Sequence, residues 1–553
     1  STSRPWSQSE ASLILSRIKR EKLSGEEISV YDKIAGIINE NLRWNFKGFS
    51  MRLKADLAFE AYIHRNTEDF VKDSDWLRGF ERRKPLAKAS MDFAISDFFY
   101  TYCDLQYGYG RVTRKDSFVS LNPDYSGPYK YVTSDGYIGS YYMDKGAHMM
   151  IYSAQYGARS ATNLIKDSSL FDFDWPKRAV FSLGGDKWNV QYGRDRLEIG
   201  NSAFGNMLVD NHTDFEDYFS LTVFSDSFKY QWLNIFLNGI STFGEDPTND
   251  FRIYMIHTLE FRPFENFSFI ISENVMYRIA SDGKNRQVLD FAYFNPSFIF
   301  HNLNNRAMFN AIAYAEVNWA PVKRVELYGQ FALDQARAPN ESSDQSNSWG
   351  FTAGSKYTRA IGDGIARFYA EFAYTTPLFY RRDIVDFVKM SRYFHIDTED
   401  QLQPDGIHSS RFGSYSLIFE FIGFPYGGDC EAFELGASYT VLDFMSVKVY
   451  GRLLQHGEFN LFTPHNYDGS GNPGGNSGLA NYEGVTPSGT KWLRAVFLSS
   501  NVEFDMKRIF DWPSVTLEAE LDWIGKWNYS SDTGIYSNKR TDTQFTIAIN
   551  VSI

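Results

Sequence analysis

The stretch Met51-Arg52-Leu53-Lys54-Ala55-Asp56-Leu57-Ala58-Phe59-Glu60-Ala61-Tyr62-Ile63-His64 decides the fold. Met51, Leu53, Ala55, Leu57, Phe59, Ala61 and Ile63 are apolar, whereas Arg52, Lys54, Asp56, Glu60 and His64 are polar or charged. A period of two places these sets on opposite faces of a β-strand. The run exceeds the ~9–11 residues that a tilted strand needs to cross a bilayer. One face therefore meets lipid, and the other meets water or a plug.

The same alternation returns far along the chain. Leu517, Ala519, Leu521 and Trp523 oppose Thr516, Glu518, Glu520 and Asp522, and Phe545, Ile547, Ile549, Val551 and Ile553 alternate with Thr546, Ala548, Asn550 and Ser552. The chain is thus expected to end in a strand, as transmembrane barrels usually do. Composition agrees. Phe, Tyr and Trp make up 17% of the 553 residues while hydrophobics are an ordinary 43%, and mean hydropathy is negative. Rings in such excess fit two interfacial girdles around a barrel better than one large buried core. No stretch approaches the ~18 apolar residues of a membrane-spanning helix.

Ahead of the strands the period is helical. Ser7-Gln8-Ser9-Glu10 is a capping box opening a first helix. Ser24-Gly25-Glu26-Glu27 opens a second, with Ile28, Tyr31, Ile34 and Ile38 on one stripe. Residues 1–42 are expected to form a helical segment plugging the periplasmic mouth, and 43–553 the barrel. The first residues carry no basic, then apolar, secretory pattern, which reads as the mature form of an exported protein.

Turn chemistry supplies the topology. Tight turns are expected near 184–186, 226–227, 263–265, 321–322, 362–364, 443–444 and 511–513. Long polar loops are expected at about 110–135, 199–216, 279–307, 334–347, 377–430, 458–490 and 528–541. With the N-terminal helices in the periplasm, every tight turn falls there and every long loop falls outside. The strand count comes to about 20. A soluble propeller would need a blade period of ~40 residues, which is absent.

Other classes find little support. The net charge is -12 with interleaved signs, against nucleic acid as a partner. Cys103 and Cys430 have no metal-ligand spacing, and the sequence leaves a disulfide between them open. No metal, cofactor or nucleophile–base motif is present, so no catalytic residue is expected. The Gly-rich tract 468–476 reads as a surface loop.

Three segments stand out. The first is Tyr192-Gly193-Arg194-Asp195-Arg196-Leu197-Glu198-Ile199-Gly200, followed by Phe204-Gly205-Asn206-Met207-Leu208. The second runs from His257 through Glu273-Asn274 to Phe294-Asn295-Pro296-Ser297-Phe298-Ile299-Phe300-His301. The third is Tyr426-Gly427-Gly428-Asp429, with Gln455-His456-Gly457-Glu458 after it. Together with the opening Thr2-Ser3-Arg4-Pro5-Trp6, they resemble the Wzi capsule-assembly family of outer-membrane proteins. Where that family carries Trp-Gly-Pro, this chain has Ile199-Gly200-Asn201, and Gly428 stands where a proline is common. The resemblance implies an 18-stranded outer-membrane barrel with periplasmic helices and a role in holding capsular or exopolysaccharide.

A polysaccharide site needs aromatic faces for sugar C–H surfaces and planar polar groups for hydroxyls. Asn206, Asp210, Asn211, His212, Phe294, Asn295, Phe298, His301, Asn302 and Asn304 would supply both on the extracellular side. Gly193, Arg194, Asp195, Asn295, Pro296, Gly427 and Asp429 read as structural motif residues, with Arg194 and Asp195 expected to form a lumen ion pair and Asn295-Pro296 a turn. The expected fold is therefore an all-β, antiparallel transmembrane barrel of about 18–20 strands in the bacterial outer membrane. Its expected partners are membrane lipid and extracellular polysaccharide. A porin or sugar-selective channel is the alternative, because Arg52, Lys54, Asp56, Glu518, Glu520 and Asp522 line water as readily as they pair across a closed lumen.

Overall fold

The computed structural model describes residues 3–39, 44–66, 69–70, 84–107, 129–132, 138–141, 149–152, 162–164, 176–213, 215–238, 251–279, 308–337, 346–381, 385–396, 413–459, 485–508 and 514–553. The wall is a closed barrel of 18 antiparallel strands. Its first third is β1 (Phe49–His64), β2 (Ala87–Ile95), β3 (Phe99–Tyr107), β4 (Ala179–Gly185), β5 (Trp188–Asp195) and β6 (Glu216–Phe224). Next come β7 (Phe228–Asn238), β8 (Phe251–Phe264), β9 (Phe267–Ile279), β10 (Met308–Val322), β11 (Val325–Gln335) and β12 (Ser348–Ile361). The last third is β13 (Gly364–Thr375), β14 (Cys430–Val441), β15 (Met445–His456), β16 (Lys491–Asp505), β17 (Ser514–Ser530) and β18 (Ile535–Ser552). Each strand pairs with the next, and β18 pairs with β1 from Ser552–Asp56 to Gln544–His64, which closes the ring.

Burial along these strands is the inverse of a soluble protein's. Leu53, Phe59 and Leu521 are 48%, 44% and 52% exposed, while Glu60, Glu520 and Asp522 on the other face are 2%, 1% and 2% exposed. Only a hydrocarbon solvent makes an apolar exterior over a polar interior stable, so the outer face is lipid-facing. Phe49, Phe93, Phe99 and Phe181 form a ring-to-ring chain at the short-turn edge, with successive centroids 4.8, 6.0 and 5.2 Å apart. Phe331, Trp349, Phe351 and Tyr374 do the same near the opposite edge. These are the two interfacial girdles of an outer-membrane barrel.

The expected turns at 184–186, 226–227, 263–265, 321–322, 362–364 and 443–444 lie at strand joints on the periplasmic side. Two details differ from the sequence reading. The wall has 18 strands, within the expected 18–20, but the expected loop at 377–430 holds two further strands off the wall: Val388–Ile396 pairs with Gly413–Phe421, which also pairs with Met149–Tyr152. The expected loop at 528–541 is instead the end of β17, a turn at 531–534 and the start of β18. This ribbon stands above the hydrocarbon band, where no lipid tail selects the apolar alternation that marks a strand in sequence.

Two helices lie under the periplasmic edge: α1 (Gln8–Ser16) and α2 (Gly25–Ile38). Ser7 caps α1 by accepting from the Glu10 N–H at 3.1 Å, and Ser24 and Glu27 make a complete capping box at α2. The Glu10 carboxylate is spent elsewhere, on Lys229 of β7 at 2.6 Å. Arg17 donates to the Ser225 carbonyl at 3.3 Å, Lys19 pairs with Glu265 at 3.1 Å, and Glu27 takes Lys323 at 3.1 Å. The helices thus dock on the periplasmic turns, and other segments enter the lumen.

Candidate functional site: re-entrant segments in the lumen

Residues 196–213 leave the top of β5, run down the lumen and return to β6. The descending and ascending arms are joined where the Ile199 N–H donates to the Val209 carbonyl at 3.0 Å. On the other edge of the descending arm, Ser3–Arg4 pairs antiparallel with Glu198–Ile199, so the N-terminal chain adds a strand from below. At the tip, the Asn201 amide donates to Asn318 at 3.0 Å and to Glu326 at 2.7 Å. Glu326 is the second residue of β11, so the loop reaches almost to the periplasmic turns. The Ala203 N–H donates to Glu371 at 2.6 Å, and the Ser202 and Tyr328 hydroxyls donate to the same carboxylate.

A second re-entrant region, 376–381 with 421–429, packs on the first. The Tyr380 hydroxyl joins them: it donates to the Met207 carbonyl at 2.5 Å and accepts from the Phe424 N–H at 2.8 Å. Around it Leu197, Ile199, Met207, Leu208, Val209, Phe379, Phe387, Ile422 and Phe424 form one apolar core with inward residues of β7–β13 such as Ile235, Tyr254, Ile256, Ile312 and Ala373. Arg452 of β15 ties both regions to the wall. Its guanidinium lies 4.9 Å from the Phe204 ring and 5.6 Å from Tyr426, and it donates to Glu434 at 2.6 Å.

The predicted residues fall into distinct places. Asn206 and Asp210 were expected at the outer rim and are instead buried in the lumen. The Asn206 carbonyl accepts from Gln330 at 2.8 Å and from Ser202 N–H at 3.0 Å, and its amide donates to Asp210 at 3.1 Å. Asn206 and Asp210 hold the loop's shape, since a side chain so fully engaged is not offered to a ligand's hydroxyls. Asn211 is exposed and His212 half-exposed, meeting Glu198 at 3.2 Å and Asp210 at 2.8 Å. Glu198 also binds Arg4 at 2.6 Å, and the Arg4 guanidinium stacks 5.2 Å from the Trp6 ring. This group combines indole, guanidinium, carboxylate, amide and imidazole, all with solvent access, which is the chemistry of a sugar contact. Phe294, Asn295, Pro296, Phe298, His301, Asn302 and Asn304 lie outside the described residues, as does the tract 468–476.

Among the motif residues, the expected Arg194–Asp195 pair does not form. Neighbours in a strand face opposite ways, so Asp195 points into the lumen and takes Arg178 at 2.7 Å, while Arg194 is on the outer face. Gly193 of β5 pairs with Val180 of β4, where a Cβ would lie 2.1 Å from the Ala179 carbonyl oxygen. Gly427 has φ +70° with the Phe421 ring against it, a position only glycine fills. Asp429 is fully buried and accepts from Ser488 N–H at 2.7 Å and Phe459 N–H at 3.0 Å. Burial pushes its carboxyl above the ordinary carboxylate range despite these donors. It joins the two glycine-bearing segments that the sequence singled out, because Gly457 N–H donates to the Asp429 carbonyl at 2.9 Å. Cys103 and Cys430 are free thiols. Tyr380 and Arg452 escaped the sequence reading: both lie outside any motif, and only the fold brings them to the centre.

Away from that core, the lumen wall from β17 round to β5 carries a lattice of charge pairs. Arg52 meets Asp92 at 2.9 Å, Lys54 meets Asp56 at 2.9 Å, Lys84 meets Glu518 at 2.9 Å, and Lys88 meets Asp104 at 3.7 Å.

The sequence matches no family model and no curated protein sequence. Among solved structures, the Escherichia coli outer-membrane protein Wzi, described as involved in group 1 capsule assembly and as a carbohydrate-binding barrel, is similar with a TM-score of 0.52. The match covers 99% of this chain and 93% of Wzi at 11% identity. The chain shares the outer-membrane barrel fold. OprD from Pseudomonas aeruginosa aligns over 91% of this chain and 93% of its own, with a TM-score of 0.37 and 7% identity.

Proposed function

We propose that this barrel is a non-enzymatic surface protein that binds and anchors capsular or exopolysaccharide at the outer membrane. The observation that carries the reading is the packing in the lumen: residues 196–213, 376–381 and 421–429 make an apolar core with inward residues of β6–β13 and with Ala432, Leu454, Ala495, Phe497 and Ile524 of β14–β17. A barrel whose interior is spent on packing has its outer rim left as the working surface. The likeness to Wzi, a carbohydrate-binding barrel by its description, supports the same reading. Asn211 and His212, with the loop residues Phe294, Asn295, Phe298, His301, Asn302 and Asn304, are the proposed sugar contacts.

A sugar-selective channel is the second reading. It is favoured by the wall away from that core, where the Arg52, Lys54, Lys88 and Arg178 side chains keep 40%, 47%, 31% and 38% exposure while facing the lumen. Two measurements on the refolded full chain separate them: single-channel conductance in a planar bilayer, and binding to an array of purified capsular polysaccharides. Anchoring expects a silent bilayer and retention of at least one polysaccharide. Steady conductance without polysaccharide retention would overturn it in favour of a channel.

A further inference from the structure

On the outer face, the upper ends of β14–β17 carry a polar cross-strand row. Glu431 pairs in register with Gln455, Gln455 with Arg494, and Arg494 with Trp527. The row is wired together: the Gln455 amide donates to Glu431 at 3.2 Å, and the Arg494 Nε donates to the Gln455 carbonyl at 2.7 Å. Rings crowd the guanidinium, with Tyr529 at 4.1 Å, Tyr536 at 5.4 Å and Trp492 at 5.8 Å. Tyr529 and Tyr536 are themselves 4.9 Å apart. By contrast, Phe331, Trp349, Phe351 and Tyr374 on β11–β13 are rings stacked on rings.

Height identifies what such a row meets. Parity puts these residues on the same face as Phe433, Leu453, Leu498 and Leu521, the exposed lipid-facing set. At ~3.3 Å per residue and a tilt of ~40°, Arg494 stands ~25 Å above Phe504, and Trp527 and Tyr529 stand ~30 and ~35 Å above Val515. The apolar band is ~25 Å tall, so Arg494 is at its upper edge and the rings rise past it. Outward-facing groups at that height, continuous with the lipid contact below, meet lipid headgroups and not the lumen or a free polymer above the rim. A lone hydrocarbon tail has no use for carboxylate, amide and guanidinium in a row. A sugar ring offers C–H faces to the aromatics and hydroxyls to the amide and carboxylate, and a phosphate on it would take the planar guanidinium.

We propose that Glu431, Gln455, Arg494, Trp492, Tyr529 and Tyr536 form a binding platform for the sugar-phosphate headgroup of a glycolipid in the outer leaflet. The platform grips the membrane around the barrel and is independent of the capsule reading, which concerns the loops above.

The test is native mass spectrometry of the full chain in detergent, titrated with rough-type lipopolysaccharide and, separately, with phosphatidylglycerol. The wild type is expected to retain lipopolysaccharide in preference to phosphatidylglycerol. Arg494→Gln is expected to weaken that retention about tenfold or more, as loss of a charge-assisted contact does. Tyr536→Ala, at an exposed position beside the turn, is expected to weaken it several-fold with folding intact, as checked by heat-modifiable migration. Equal retention of the two lipids, or variants that bind lipopolysaccharide as the wild type does, would overturn the platform. Capture of a free, lipid-less capsular polysaccharide that is lost in Arg494→Gln would overturn the assignment to a lipid. If the capsule reading fails on the polysaccharide array, the lipid preference of the wild type still stands or falls by itself.

Discussion

The two halves of the lumen are built from the same alternating strands and end in opposite states. Inside β7–β13, inward Ile235, Ile256, Ile312 and Ala373 close on re-entrant segments in a core where Tyr254 and Tyr380 have no exposure. From β17 round to β5, the inward positions include Glu518, Glu520, Asp56, Arg52, Lys88 and Asp104, with Arg52 paired to Asp92, Lys54 to Asp56, Lys84 to Glu518 and Lys88 to Asp104. Strand period settles which side chains face inward. What they face is settled by where the chain re-enters: the segments 196–213, 376–381 and 421–429 all lie against the first half.

The comparison is broken most directly by taking the occupant away. Replacing 197–213 with a short Gly-containing turn from β5 to β6 is expected to turn a silent barrel into one with discrete conductance steps, read in a planar bilayer. A barrel that stays silent without this loop would show that the charged half closes the lumen by itself. The second test unties the occupant from the wall. Arg452→Ala removes the rings' cation and leaves Glu434, 2% exposed at its side chain, without its closest partner. An uncompensated buried charge costs about 3–5 kcal/mol, so unfolding by guanidinium in detergent is expected to shift by that amount. A shift below about 1 kcal/mol would mean that water reaches Glu434.

The same change on the other side is expected to do far less. Lys88 lies 3.7 Å from Asp104, and Asp104, although only 1% exposed, keeps the Arg178 N–H at 2.9 Å and the Gln106 amide at 3.2 Å, so Lys88→Ala is expected to cost about 1–1.5 kcal/mol, the range of a single ordinary contact. A loss matching that of Arg452→Ala would mean that the charged lattice is as dry as the core, and the contrast between the halves would collapse.

That contrast also marks how far the sequence is legible. Met51–His64 and Leu517–Trp523 reveal the wall because lipid on one side and polar matter on the other write a period of two into the chain. Ser24 and Glu27 reveal α2 because capping is local. Asn206, Asp210 and Asp429 are conspicuous as residue types, but their role depends on partners more than twenty residues away, such as Gln330, Ile422 and Ser488. Sequence therefore marked them as special and assigned Asn206 and Asp210 to the wrong surface. Arg194 and Asp195 misled for a simpler reason: complementary charges adjacent in a strand face apart.

The smallest expected effect lies where the helices meet the wall. Glu27 is pulled from 4.5 to about 2, first by the Ser24 backbone N–H it accepts in the capping box and then by Lys323. Its folded-state pKa is thus below its unfolded one. Its contribution is complete above the unfolded value and is lost as pH falls from about 4.5 towards 2. Because Glu27 sits near solvent, the effect is local: α2 should loosen from the β10–β11 turn while the barrel persists. Hydrogen exchange of residues 25–38, corrected for intrinsic rates, is the measurement. Glu27→Gln is expected to exchange faster than the wild type at pH 7, and the two are expected to converge near pH 2. If they exchange alike at pH 7, the Glu27 contacts do not hold the helix, and docking must come from Glu10 with Lys229, a pair buried deeply enough for solvent to screen it little.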